Sequence, residues 1–131
     1  MANHEITLEQ VAALDEIFAK ARAAEKVIEN YTQEQVDRMV RCVAWAAGNP
    51  KAFQEICWMG VDEAGAGDRN GRYGKRHKIL GVLRDALRQK SVGIIETLPE
   101  KGIVRYGKPT GVITSLIPMT NPELTPIVTA I

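Results

Sequence analysis

Apolar residues recur at helical spacing from about residue 8 to about residue 90, then at strand spacing, and this change of period divides the chain. Val11, Leu14, Phe18 and Ala21 form one stripe, with Ile17, Ala24 and Ile28 alongside and Glu, Lys and Arg elsewhere. That pattern predicts an amphipathic surface helix over about 8–28. Thr7 with Gln10, and Thr32 with Gln35, have the spacing of a capping box and mark two helix starts. The second helix, about 33–47, carries Val36, Met39, Val40, Val43, Ala44 and Ala47 and stops at Gly48. Asn49 and Pro50 are the N-cap and first residue of a third, with Phe53, Ile56, Cys57 and Val61 inward. Gly65, Gly67, Gly71 and Gly74 predict a loop or broken helix. A fourth helix, about 74–90, buries Ile79, Leu80, Leu83, Ala86 and Leu87 and leaves Lys78, Arg84, Asp85 and Arg88 outside.

Beyond it, residues 91–96 and 102–109 are β-rich and read as an antiparallel pair joined through 97–101. Val112, Ile113, Leu116 and Ile117 enclose Thr114 and Ser115 in a short apolar run that suits a strand covered on both faces, hence a parallel sheet. Pro118, Asn121 and Pro122 follow as a sharp turn able to cap a helix, and the end of such a strand is where open α/β sheets bind ligands. Pro126 removes a backbone donor and moves the helix start later. Ile127, Val128, Ala130 and Ile131 begin an apolar helical face that receives no capping glycine or basic turn. One parallel-type strand needs further crossover units, so the expectation is the N-terminal piece of a longer protein, or strands supplied from elsewhere.

Composition narrows the function classes. With 131 residues and 45% hydrophobic residues the chain holds one ordinary core. Seventeen Lys plus Arg against sixteen Asp plus Glu leave a net charge of +1, so no global field attracts nucleic acid or an anionic membrane. No apolar run approaches the roughly 20 residues of a membrane span, and the first residues lack a secretion-signal pattern, which implies a cytoplasmic location. Cys42 and Cys57 sit inside helical patterns with no C-x-x-C spacing, so neither a disulfide framework nor a metal site is expected.

Tyr106, Lys108, Pro109, Gly111, Val112 and Ile113, followed by Pro118, Met119, Thr120, Asn121 and Pro122, resemble the Y-x-x-P-x-G-V-I…P-x-T-N-P segment of the aldehyde dehydrogenase superfamily. Hydrolytic members carry Trp-Asn-Phe where this chain has Thr-Asn-Pro, and the variant is similar to the CoA-acylating branch. The likeness runs back to about residue 7 and covers most of the chain, but only the first quarter or third of such an enzyme. Residues 67–73 and 75–79 look most like sulfoacetaldehyde dehydrogenase members.

The resemblance implies an α/β fold: N-terminal helices (1–90), a β-hairpin oligomerisation arm (91–109) that makes a homo-oligomer, and the first strand of an incomplete Rossmann-like NAD(P)-binding domain (110–131). It implies a reaction in which aldehyde, CoA and NAD or NADP give acyl-CoA and the reduced nicotinamide. A family cysteine attacks the aldehyde, hydride leaves to the nicotinamide, and CoA takes the acyl group. Asn121 matches the asparagine that stabilises the oxyanion, and Pro118, Met119 and Thr120 match the strand end lining the cofactor site. Cys42 and Cys57 match no family cysteine motif, so the nucleophile lies outside this chain, and the fragment alone should be inactive.

Other readings stand beside these. Asn121 is, on spacing alone, a cap or turn residue before Pro122. The cysteines read as small buried hydrophobes, and Trp45, Trp58 and Tyr73 as packing. Gly65-Ala66-Gly67 does not follow a strand and is no dinucleotide fingerprint. Arg69, Arg72, Lys75, Arg76, His77 and Lys78 form a dense basic cluster, read either as a solvated helix start or as an anion site. In the second case Arg69 and Arg72 face the substrate entrance and attract a sulfonate or the phosphates of CoA, with His77 a surface residue. A non-catalytic association module built on the 91–109 pair is the alternative function, and a nucleic-acid binder based on 69–78 a distant third.

Overall fold

Two capping boxes open the chain as the sequence predicts. Thr7 Oγ1 accepts from the Gln10 backbone N–H at 3.2 Å while Gln10 Oε1 accepts from the Thr7 N–H at 3.0 Å, and Thr32 and Gln35 repeat the exchange. The computed structural model describes residues 6–131. The first five residues, on which the missing secretion-signal pattern partly rests, lie outside the described residues. Helix α1 spans Leu8–Ile28, α2 Gln33–Gly48, α3 Pro50–Ala64, α4 Arg69–Tyr73 and α5 Arg76–Ala86; strands β1 (Gly93–Leu98) and β2 (Ile103–Gly107) follow, then α6 (Thr125–Ala130). The chain is thus mostly helical with one two-stranded antiparallel sheet. No helix among the described residues is long and apolar enough to cross a membrane.

Asn49 performs two jobs at one corner. Its Nδ2 donates to the carbonyls of Trp45 and Ala46, closing α2, and its Oδ1 accepts from the Ala52 N–H, opening α3. Pro50 follows at the start of α3, where its missing donor costs nothing. The predicted fourth helix is present as the shorter α5, which begins at Arg76, while the glycine-containing stretch before it, expected as a loop or broken helix, forms the single turn α4 and ends at Gly74. Arg76 turns back to donate from Nε to the Gly48 carbonyl at 2.6 Å, so α2 ends under a cation.

The core gathers Ala44, Phe53, Cys57, Ile79, Leu124 and Ile127, with Tyr73 and Leu83 packed against it. Leu124 and Ile127 belong to the last part of the chain, which therefore returns to α2 and α5 and shares their core. Gly48 lets α2 approach α5 closely: a Cβ there would stand 3.3 Å from Ile79 Cγ2. Helix α1 buries none of its side chains, and Leu8, Val11, Leu14, Ile17 and Phe18 are exposed. Trp45 and Trp58, read as packing residues, are exposed as well, at 67% and 41%.

The hairpin pairs Gly93 with Gly107 and Leu98 with Ile103, with a register shift between Ile94 and Glu96. Its root is tied to α2 by Gln33, whose Oε1 accepts from the Ser91 and Val92 N–H groups at 2.9 and 3.1 Å. The segment 112–117 departs from expectation. It forms no strand and lies exposed, Leu116 at 92%. A strand needs a neighbour to take its backbone hydrogen bonds, and the two strands described pair with each other. The apolar run thus has no partner among the described residues.

Candidate functional site at the Asn121 turn

The turn that precedes α6 is built by the backbone of residues 118–125. The Asn121 N–H donates to the Pro118 carbonyl, and the Asn121 carbonyl accepts from Leu124 and Thr125. The helix itself starts later, at Thr125, with Pro126 in its first turn. Asn121 therefore does not use its side chain as a helix cap. That side chain points to the α4–α5 junction, where Lys75 Nζ donates to Asn121 Oδ1 at 2.6 Å.

Glu123 organises this contact. Its carboxylate is fully buried, and its two oxygens take different cations: Arg72 Nη1 at 3.1 Å from Oε2, and Lys75 Nζ at 3.1 Å from Oε1. Arg72 is buried too, and its Nη2 donates to the Ala66 carbonyl at 2.9 Å and to that of Met119 at 3.4 Å. Space for the guanidinium comes from glycine. A Cβ on Gly60 would lie 3.2 Å from Arg72 Nη1, and one on Gly67, whose φ is +96°, 2.9 Å from Arg72 Nε. The loop after α3, the α4–α5 junction and the Asn121 turn are clamped together by one carboxylate and two cations.

These contacts redistribute the basic cluster. Arg72 is withdrawn from solvent and committed to Glu123, which corrects its placement as an entrance cation: the glycines on either side admit the guanidinium inward, and a buried carboxylate requires it there. Arg69 stays half-exposed, bidentate to Asp62 at 2.7 and 2.9 Å and stacked 5.3 Å over the Trp58 ring. His77 is exposed and its Nδ1 stands 2.7 Å from the Gly74 carbonyl. Pro118, Met119 and Thr120 are exposed beside Asn121, Met119 at 66%. Glu123 was not expected at the site, and Lys75 was expected only as a member of the basic cluster. The signal for Lys75 was the three-residue spacing of Arg72 and Lys75, which puts two cations on one side of a helical turn; no local pattern marks Glu123, whose partners lie about fifty positions earlier.

Cys57 packs into the same core. Burial, with the Glu123 carboxylate adding to it and Arg72 and Lys75 opposing, pushes its thiol up to about 11. It stays protonated at neutral pH and is no nucleophile. Cys42, expected to be buried, is exposed. A separate cleft of about 500 Å³, lined by Ile28, Tyr31, Met39, Val92 and Tyr106 among others, lies between α1, α2 and the hairpin root and brings together no such set of charges.

No family model matches the chain. Whole-sequence comparison does find relatives. The chain is 41% identical over 108 residues to a sulfoacetaldehyde dehydrogenase of Acholeplasma sp, covering 82% of this chain and 22% of the relative. It is 33% identical over 120 residues to the acetylating succinate-semialdehyde dehydrogenase of Clostridium kluyveri, covering 90% and 26%. With the bifunctional aldehyde-alcohol dehydrogenase of Escherichia coli K12 it shares 29% over 118 residues, covering 89% and 13%. The chain thus matches an N-terminal portion of proteins named as sulfoacetaldehyde and succinate-semialdehyde dehydrogenases, two of them as acylating or acetylating. It spans about a quarter or less of the length of these relatives. In the Thr120-Asn121-Pro122 turn the Asn121 amide is half-buried and tied to the scaffold through Lys75.

Proposed function

We propose that the chain is the N-terminal part of a CoA-acylating aldehyde dehydrogenase, in which Asn121 donates a hydrogen bond to the oxyanion. The reaction converts an aldehyde, CoA and NAD(P)⁺ to acyl-CoA and NAD(P)H, with the nucleophilic cysteine supplied from outside these 131 residues. When that thiolate adds to the carbonyl carbon, negative charge develops on the oxygen. A neutral amide donor fixed beforehand lowers the barrier at that moment by about 3–4 kcal/mol. The observation that supports this role most is the 2.6 Å contact from Lys75 to Asn121 Oδ1, which turns the amide's donor end away from the lysine.

A nicotinamide held at this edge would supply the hydride acceptor. Pro118, Met119 and Thr120 are exposed next to Asn121 and suit an edge of its site, but the described residues place no glycine-rich turn between a strand and a helix to cradle phosphates. This chain therefore furnishes a rim of the cofactor site. Sulfoacetaldehyde or acetaldehyde is the proposed substrate, the first in keeping with the relatives' names, and Arg69 is the remaining candidate to attract a sulfonate. The location proposed is cytoplasmic. The complete protein, given aldehyde and NAD(P)⁺, should reduce the nicotinamide only when CoA is added and should release acyl-CoA. Release of free acid without CoA would contradict the acylating assignment.

A second reading has its own observation. Ile94, Ile103, Val104 and Tyr106 leave the hairpin with an exposed apolar surface, which suits association into a homo-oligomer through residues 91–109.

A further inference from the structure

We infer that Lys75 is the positioning residue of Asn121, an assignment that rests on the oxyanion role proposed above. An asparagine amide has an accepting end and a donating end of nearly equal shape, so an unrestrained side chain presents its donors only part of the time. Lys75 removes that freedom. An ammonium can only donate, so Asn121 must turn Oδ1 toward it, and the amide nitrogen then points away from the lysine. Nδ2 lies 3.5 Å from Thr120 Oγ1, the limit of a hydrogen bond, and so retains its donors for another acceptor.

The lysine is itself fixed. Arg72, Glu123, Lys75 and Asn121 form a chain of charge-assisted contacts at 3.1, 3.1 and 2.6 Å, running from a buried guanidinium to a half-buried amide. A purely compensating role for Lys75 does not account for its geometry. Arg72 alone supplies the opposite charge that Glu123 requires, and the shortest contact Lys75 makes is to the amide. Two cations against one carboxylate also leave a positive charge directly behind Asn121. That charge polarises the amide and strengthens the N–H as a donor when an anion forms in front of it.

The test is a double-mutant cycle in the complete enzyme, with kcat, KM and melting temperature measured for Lys75→Met, Lys75→Arg, Asn121→Ala and the Lys75→Met/Asn121→Ala pair. Lys75→Met should lower kcat by about tenfold or more with KM little changed. Lys75→Arg, which keeps a cationic donor, should restore most of the rate. The pair should turn over no more slowly than Asn121→Ala alone. Should Lys75→Met fail to accumulate as folded protein, Lys75→Gln carries the same cycle. Multiplying effects, or a kcat loss that merely follows the fall in melting temperature, would overturn the inference while leaving Asn121 as the donor. A wild-type rate for Asn121→Ala would remove the oxyanion reading itself, and the role of Lys75 with it.

Discussion

A carboxylate without exposed surface survives in a protein only if its charge is answered in place, and Glu123 is answered twice, by Arg72 and by Lys75. Removal of one partner from such an arrangement typically costs about 3–5 kcal/mol, so the Asn121 turn is held at the expense of a sensitive cluster. Sequence made the chemistry of Arg72 and Lys75 visible but not their direction. A basic run reads as solvated because most are, and only the glycines at 60 and 67 hint that a guanidinium could turn inward. Cys57 gives this residue scale a pH signature. Its thiol loses its proton near 9 in the unfolded chain and only at about 11 in the folded one. Below pH 9 both states hold the proton. Between those values the unfolded state binds fewer protons, so stability falls as pH rises, by up to about 1.4 kcal/mol per unit. Urea midpoints followed from about pH 8 to about pH 11 should decline more steeply in the wild-type chain than in Cys57→Ala, and equal slopes would place the thiol in contact with water.

At the scale of elements, the helices were readable because their signals are local. A capping box, an Asn-Pro restart and a 3.6-residue period each lie within a few positions, and α1, α2 and α3 begin where those signals put them. The hairpin was readable for the same reason, as two β-rich runs joined by a short turn. The run at 112–117 carries a strand-like composition but meets no hydrogen-bonding neighbour in the described chain, and composition alone cannot supply one. Helix α1 shows the same limit, with a stripe of correct period of which Val11, Leu14, Ile17 and Phe18 stay exposed and only Ala21 and Ile28 are partly covered. The association reading is tested on β1 and β2. Ile94 and Tyr106 are directly paired across the strands and exposed at 55% and 59%. Replacing them together by Ile94→Lys and Tyr106→Glu keeps an attractive cross-strand pair while removing apolar surface. The complete enzyme should then shift to smaller species in analytical ultracentrifugation. An unchanged size would exclude this face from the interface.

For the whole molecule, the last residues of the chain are part of the first helices' core, since Leu124 and Ile127 pack with Phe53, Cys57 and Ile79. The consequence is mechanical as well as structural. The turn between the exposed run at 112–117 and α6 is anchored on a helical body, through apolar contacts on one side and the Glu123 cluster on the other. A donor that must not move when charge appears on its ligand gains from that double anchorage. The relatives are named as aldehyde dehydrogenases, and the anchored turn carries Asn121, the residue proposed above as the oxyanion donor. The most direct measurement is the single-turnover rate of hydride transfer in the complete enzyme at saturating aldehyde, compared between wild type and Asn121→Ala. The proposed role predicts a fall of about a hundredfold or more with the melting temperature unchanged; an unaltered rate would contradict it and leave Asn121 a turn residue tied to Lys75.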